Sequence, residues 1–233
     1  MKIALLGYGK MGKAIEKIAL SRGHDIVIKT SDEGGYDISQ ADVAIDFSVP
    51  NAAFYNIVNC FKHNVPVISG TTGWLQNYDK AVELCKENNG AFIYASNFSL
   101  GVNIFFELNK NLARMMSQLR DYDVSMEEVH HTQKLDAPSG TAITLAEDII
   151  SEHANYTEWK LETGREGIIP ITAKRIENVP GTHSIDYKSE VDTINITHTA
   201  HSRQGFALGA VVAAEWLLGK TGVFTMKDVL NIG

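Results

Sequence analysis

Ile3-Ala4-Leu5-Leu6 form a short unbroken apolar run, the pattern of a parallel strand covered on both faces. Met11, Ala14, Ile15, Ile18 and Ala19 then recur at the spacing that lines one face of a helix. Further short apolar runs at residues 25–30, 43–48, 66–69 and 91–95 read as strands, with helical patterns over 51–63 and 76–88. Strands alternating with helices predict a βα repeat around a parallel sheet. Several of these strands end in polar residues, and ligands of such sheets sit beyond the strands' carboxyl ends.

The pattern changes after residue 100. Val102, Phe105, Phe106, Leu108, Leu112, Ala113 and Met116 suit a well-buried helix, and residues 122–129 alternate imperfectly, as a strand. Ala142, Leu145, Ala146 and Ile149 mark another helix, and the β-branched stretch 191–200 reads as a strand of a second sheet. Ala207, Ala210, Val211, Ala214 and Leu218 return to a helical period, and a short last helix lies near 226–230. These patterns predict a nucleotide domain made of 1–98 and 205–233, interrupted by an α+β domain at 99–204.

Composition narrows the class. With 233 residues, 44% hydrophobic and 21% charged, the chain is an ordinary globular sequence. A net charge of −7 argues against non-specific nucleic-acid binding. Cys60 and Cys85 stand among apolar and helix-forming residues and read as buried free thiols rather than a disulfide framework. No apolar run reaches 18 residues and no signal-peptide pattern is present, so no membrane partner is expected and the expected location is the cytoplasm.

Gly7-Tyr8-Gly9-Lys10-Met11-Gly12 joins the first strand to the first helix. Strand, G-x-G-x-x-G and helix in that order are a dinucleotide fingerprint: one glycine for the turn, one for approach of the pyrophosphate, one for helix–strand packing. An NAD site would place Asp or Glu at the end of the second strand; this chain has Lys29-Thr30-Ser31, with Asp32 and Glu33 slightly late. Lys29 can attract a 2′-phosphate or be a solvated surface lysine, so NADPH or NADH is the expected cofactor. Gly70, Thr71 and Thr72, and Ala95, Ser96, Asn97 and Phe98, follow two later strands. They line a nicotinamide site or are ordinary turns.

The distinctive chemistry lies at His130-His131-x-x-Lys134-x-Asp136-Ala137-Pro138-Ser139-Gly140-Thr141. Two imidazoles that titrate near neutrality and one ammonium occur within five residues. Extended backbone through His130 and His131 would point them to opposite faces, and a turn would bring Lys134 beside them. Ser139 or Thr141 can cap the helix that follows, and its free amides can take a carboxylate. His183, His198 and His201 read as structural or surface residues, and Arg203 either reaches an anion or lies on the surface. The spacings contain neither H-E-x-x-H nor a Cys pair, so no metal is expected. Two other functions fit the first half: a different small-substrate NAD(P) dehydrogenase, and a non-enzymatic NAD(P) sensor. Neither accounts for the double-histidine cluster.

The whole chain resembles the 4-hydroxy-tetrahydrodipicolinate reductase (dihydrodipicolinate reductase) family. The resemblance is carried by residues 7–12, by Gly70-Thr71-Thr72-Gly73, by residues 97–103, and by the highly specific stretch 128–142. It implies a Rossmann-like dinucleotide-binding domain with an α+β substrate-binding and oligomerisation domain. It further implies that Gly7 to Gly12 hold the pyrophosphate, and that Gly70 to Thr72 and Ala95 to Phe98 hold the nicotinamide end. His130 matches the family's acid/base and Lys134 its proton donor; His131, Gly140 and Thr141 match substrate-binding positions. A small anionic dicarboxylate substrate and a homotetramer joined through sheets of the second domain are implied as well. Lys10 stands where the family often has Arg, and the region between the Ser139-Gly140-Thr141 helix and residue 191 is short.

Overall fold

The computed structural model describes residues 1–30, 35–202 and 204–232; Ser31, Asp32, Glu33 and Arg203 lie outside the described residues. In chain order the first elements are β1 (Lys2–Leu6), α1 (Lys10–Ser21), β2 (Asp25–Thr30), β3 (Val43–Asp46), α2 (Pro50–Lys62), β4 (Val67–Ser69), α3 (Tyr78–Glu87) and β5 (Ala91–Tyr94). Then come α4 (Leu100–Met116), β6 (Asp123–His130), α5 (Gly140–Glu152), β7 (Glu158–Leu161), β8 (Ile168–Arg175), β9 (Gly181–Lys188) and β10 (Thr193–Ala200). The chain closes with α6 (Gln204–Leu217), β11 (Gly222–Phe224) and α7 (Met226–Leu230).

The chain divides into two compact units: residues 1–103 with 204–233, and residues 104–203. The boundary falls inside α4, whose first turn belongs to the first unit.

In the first unit six parallel strands form one sheet in the order β11-β5-β4-β3-β1-β2. Alternation along β1 sends Ile3 and Leu5 to one face and Ala4 and Leu6 to the other. Ile3 and Leu5 join a core with Ile15 and Ala19 of α1 and with Ala207, Ala210 and Ala214 of α6. Ala4 and Leu6 join Ala53 and Ile57 of α2 and Ala81 of α3. Helices on both faces make a doubly wound α/β layer. Strand order reverses direction between β1 and β3, and the glycine loop leaves β1 at that point. Cys60 and Cys85 are buried free thiols in this core.

In the second unit five strands form a mixed sheet in the order β10-β9-β6-β8-β7. Strand β6 alternates strictly, with Val124, Met126, Glu128 and His130 on its buried face. Val124 and Met126 pack under α5 residues Leu145, Ala146 and Ile149 and α4 residues Leu112 and Met116. The buried side of β6 is therefore apolar at its start and ionisable at its end. The stretch between α5 and residue 191, short as it is, supplies three strands that the apolar pattern does not announce.

Candidate active site

Two groups of predicted site residues form, one in each unit. In the first unit the residues from Gly7 to Gly12 follow β1, Lys29 is the next-to-last residue of β2, Gly70 to Thr72 follow β4, and Ala95 to Phe98 follow β5. All the strands are parallel, so these segments share the carboxyl edge of one sheet. Gly7 has φ +98°, and a Cβ there would lie 2.1 Å from the Phe47 carbonyl oxygen. At Gly12 a Cβ would lie 2.3 Å from the Gly7 carbonyl oxygen. Neither site has room for a side chain.

Gly9 differs, because a Cβ there would meet nothing within 4 Å. It is the N-cap of α1, without a side-chain capping bond and without an acidic residue in the first turn. The loop thus presents an uncapped helix N-terminus beneath open space, which is what a pyrophosphate requires. The residues present fit a dinucleotide. Gly9→Val is expected to fold, since no protein atom opposes the new side chain, yet to bind NADPH at least about tenfold more weakly by crowding the pyrophosphate. Fluorescence titration measures this; wild-type affinity in the folded variant would remove the loop from cofactor binding.

Two residues outside the predicted set organise this edge. The Phe47 ring lies 5.8 Å from that of Phe98 and occupies the space a Cβ on Gly70 would need. With its carbonyl against Gly7, Phe47 touches three predicted cofactor segments. Asp46 is wholly buried, and its carboxylate accepts bonds from Ser48 Oγ at 2.6 Å, Asn56 Nδ2 at 3.0 Å, and Ser69 Oγ and Thr71 Oγ1 at 2.8 Å. Thr71 Oγ1 also accepts from the Ser48 amide at 2.9 Å. Burial pushes the Asp46 carboxyl upward, against the pull of these four donors. Asn97 shapes the next loop, its side chain accepting from the Ser99 amide at 2.9 Å. Lys29 is engaged: its ammonium pairs with Glu16 and lies 5.2 Å from the Tyr8 ring centroid, while the Tyr8 hydroxyl bonds Glu16.

In the second unit His130 is the last residue of β6 and is buried, while His131 begins the following loop. The two imidazoles diverge. His131 lines a cavity of about 470 Å³ with Thr132, Gln133, Glu177 and Pro180. A turn forms after it, the Lys134 amide donating to the His131 carbonyl at 3.1 Å. The Lys134 ammonium ends on Asp136, at 2.9 and 2.7 Å from its two oxygens. Ser139, not Thr141, caps α5: its Oγ accepts from the Ala142 amide at 3.2 Å. The amides of Gly140 and Thr141 belong to the uncommitted first turn, and a Cβ on Gly140 would meet nothing within 4 Å.

Three further residues complete the cluster. Glu128 shares the buried face of β6 with His130; its Oε2 lies 3.3 Å from His130 Nδ1 and accepts from the Ser139 amide at 3.1 Å. The histidine contact is an ion-pair approach rather than an aligned hydrogen bond, because Nδ1 has no directed partner. Arg175 faces His130 across the parallel β6–β8 register and donates to Glu128 Oε1 at 3.1 Å. It also donates to the carbonyls of Lys134 at 3.2 Å and Asp136 at 2.6 Å. His183 faces Glu128 across the β6–β9 register, with Nε2 3.1 Å from Ser139 Oγ.

Burial alone would raise the Glu128 carboxyl, but His130 and the Ser139 contacts bring it down to about 2. Burial, and then the neighbouring His130, lower His183 to about 4. Glu128, His130 and His183 offer ligand atoms within 4.8 Å of one another. Glu128 Oε2 accepts from the Ser139 amide and Oε1 from Arg175, and both histidines face this carboxylate. His183, read from sequence as structural or surface, is a buried member of this cluster. His198 lies beside Phe105, and His201 is exposed.

Known proteins match the chain along almost its whole length. Residues 1–98 match the family description "Dihydrodipicolinate reductase, N-terminus" and residues 101–230 match "Dihydrodipicolinate reductase, C-terminus". A 4-hydroxy-tetrahydrodipicolinate reductase of Christiangramia forsetii is 63% identical, covering 99% of this chain and 98% of the relative. The same-named protein of Neisseria meningitidis serogroup B is 34% identical over 93% of this chain and 84% of its own length. Among solved structures, a dipicolinate-bound dihydrodipicolinate reductase from a Paenisporosarcina species superposes with a TM-score of 0.78 at 22% identity, covering 98% of each chain, which shows the shared fold. The chain belongs to the dihydrodipicolinate reductase family.

Proposed function

We propose that this chain reduces 4-hydroxy-2,3,4,5-tetrahydrodipicolinate to 2,3,4,5-tetrahydrodipicolinate with NADPH or NADH, releasing water, in the diaminopimelate branch of lysine biosynthesis. The observation that carries the reading is the gathering of His130, the Lys134 turn and the head of α5 at the end of β6, in a chain that matches the reductase family along its length. The first unit is the dinucleotide-binding domain and the second binds substrate.

When bound between the glycine loop and the segments 70–72 and 95–98, NADPH or NADH supplies the hydride. The chain's own residues handle position and protons. Loss of water from the substrate leaves a conjugated imine; hydride arrival at C4 gives an enamine, and a proton on carbon restores the imine. His130 acts as acid and base for these transfers, and Lys134 is the proton donor. The Lys134 ammonium already rests on the carboxylate of exposed Asp136, so a substrate carboxylate offers it an equivalent partner. The Gly140 and Thr141 amides at the α5 N-terminus receive the other carboxylate, and His131 holds substrate from the opposite side of the strand end.

A coupled assay with freshly prepared substrate and each cofactor tests the reading. Oxidation of both cofactors is expected, because Glu16 offsets the pull of Lys29 on a 2′-phosphate while no strand-end acid among the described residues repels it. A preference for NADH above roughly 100-fold, about 2.7 kcal/mol, would contradict the cofactor part; no substrate-dependent oxidation would end the assignment.

The same reading takes the protein to be a cytoplasmic homotetramer with neither a nucleic-acid nor a membrane partner. Supporting this, β10 is an eight-residue edge strand with Thr193, Ile194 and Asn195 exposed, and such an edge is a template for further pairing. Light scattering should give the mass of four chains. No helix among the described residues is long and apolar enough to cross a membrane.

A further inference from the structure

Glu128 is charged, fully buried and not needed for packing: its neighbours on the same face of β6, Val124 and Met126, are apolar. A buried carboxylate is costly unless every lone pair is used. Its contacts are of a particular kind. Oε2 meets Nδ1 of His130 and the amide of Ser139, the residue that starts α5. Oε1 meets Arg175. Arg175 extends the link, since its guanidinium also holds the carbonyls of Lys134 and Asp136 on the turn that carries the second proton-handling residue. The rigid fork of an arginine can make these bonds together; a lysine cannot. The His130 carbonyl is fixed as well, by the Ile176 amide at 2.8 Å.

We propose that Glu128 and Arg175 are a pair of positioning residues for proton transfer. One buried carboxylate orients His130 and the anion-binding head of α5, and through Arg175 it sets the turn bearing Lys134. Neither residue touches the reacting atoms. The pair makes three parts of the motif, separated along the chain, answer to a single charge. The proposal rests on the reading of His130 and Lys134 as the proton-handling residues.

The charged and titratable groups around Glu128 are His130 on its own strand, Arg175 on β8, His183 on β9, and the Lys134–Asp136 pair on the loop. Removing the negative charge leaves His130 beside His183 and Arg175 without the carboxylate it contacts, the Asp136 charge being engaged by Lys134. An imidazolium beside those groups is then disfavoured.

The test compares Glu128→Gln, Arg175→Lys and His130→Gln by steady-state kinetics across pH and by NADPH titration. Glu128→Gln should lower kcat at least tenfold. It should also move the limb of the kcat/KM profile that His130→Gln abolishes to lower pH, by about one unit. Loss of folded protein alone cannot move that limb. Arg175→Lys keeps the charge against Glu128 but loses the fork, and should raise KM at least fivefold as the Lys134 turn loosens. NADPH affinity should stay at the wild-type value in all three. An unmoved limb with near-normal kcat in Glu128→Gln, while His130→Gln is inactive, overturns the proposal. If Glu128→Gln does not fold, Arg175→Lys decides: wild-type KM and kcat overturn it. Normal turnover in His130→Gln removes the reading beneath the proposal, and the proposal with it.

Discussion

His130→Gln is expected to lower kcat by about 10² to 10⁴, the usual worth of a positioned acid–base group, while the protein still binds NADPH normally. The two effects separate because the residues lie in different compact units, each with its own apolar core. The glutamine keeps polar atoms near Glu128 and the Ser139 amide but cannot exchange a proton near neutrality. Lys134→Ala should lower kcat by about tenfold or more and also raise KM, because its ammonium, now held by Asp136, is the group that would meet a substrate carboxylate. His131→Ala should raise KM more than it lowers kcat, as befits a side chain that opens onto a cavity instead of the Glu128 cluster. Stopped-flow hydride transfer separates chemistry from binding. Near-normal hydride transfer in the His130 and Lys134 variants would remove both from the chemical step.

The parts of this molecule legible in its sequence are those where local pattern and tertiary role agree. The β1–glycine–α1 unit reads directly, because Gly7 and Gly12 answer to nearby backbone, Gly9 leaves open space above the helix start, and the apolar period marks strand and helix at once. The 130–141 motif reads for the same reason: its chemistry is contiguous, and β6 alternation puts His130 on the buried face. The missed strands show the reverse. Strand β8 contains Pro170, which argues against an interior strand, yet pairing of β8 with β6 begins only at Ile171. Strand β9 buries Gly181, His183, Ile185 and Tyr187, a face half of which is not apolar. Strand β7 is four residues long and mostly exposed.

The partners of His130 were illegible for a different reason. Arg175 and His183 reach Glu128 through cross-strand register, 47 and 55 residues along the chain. No local period encodes register. Lys29 was legible as a position but not as an interaction: its pairing with Glu16 depends on α1 and β2 lying side by side. Phe47 fills the space that Gly70 leaves open, a role no local pattern encodes because it exists only once β3 and β4 are neighbours.

Asp46→Ala at the cofactor edge should be strongly destabilising, by roughly 3–5 kcal/mol, because it leaves several buried donors without an acceptor at about 1–3 kcal/mol each. Against a typical total of about 5–15 kcal/mol, that is a large fraction. The same four donors come from the ends of β3 and β4 and from α2, so their release should loosen the 70–72 segment and weaken NADPH binding as well. Asp46→Asn is the informative companion. Its amide fills the same space but accepts on one side only, so its NH₂ must face hydroxyls that have to turn and accept. If the native carboxyl is ionised, the asparagine protein should lose about half as much stability as the alanine one. If burial has already left the carboxyl protonated, asparagine should be nearly neutral, since an acid and an amide offer similar donor–acceptor patterns. Burial is the larger influence on this carboxyl and opposes the four donors, so the asparagine protein reads out which of the two prevails. Denaturant unfolding of the three proteins, with NADPH titration of each, measures both effects. An alanine variant within 1 kcal/mol of wild type would show that water replaces the carboxylate and that the network does not hold this edge together.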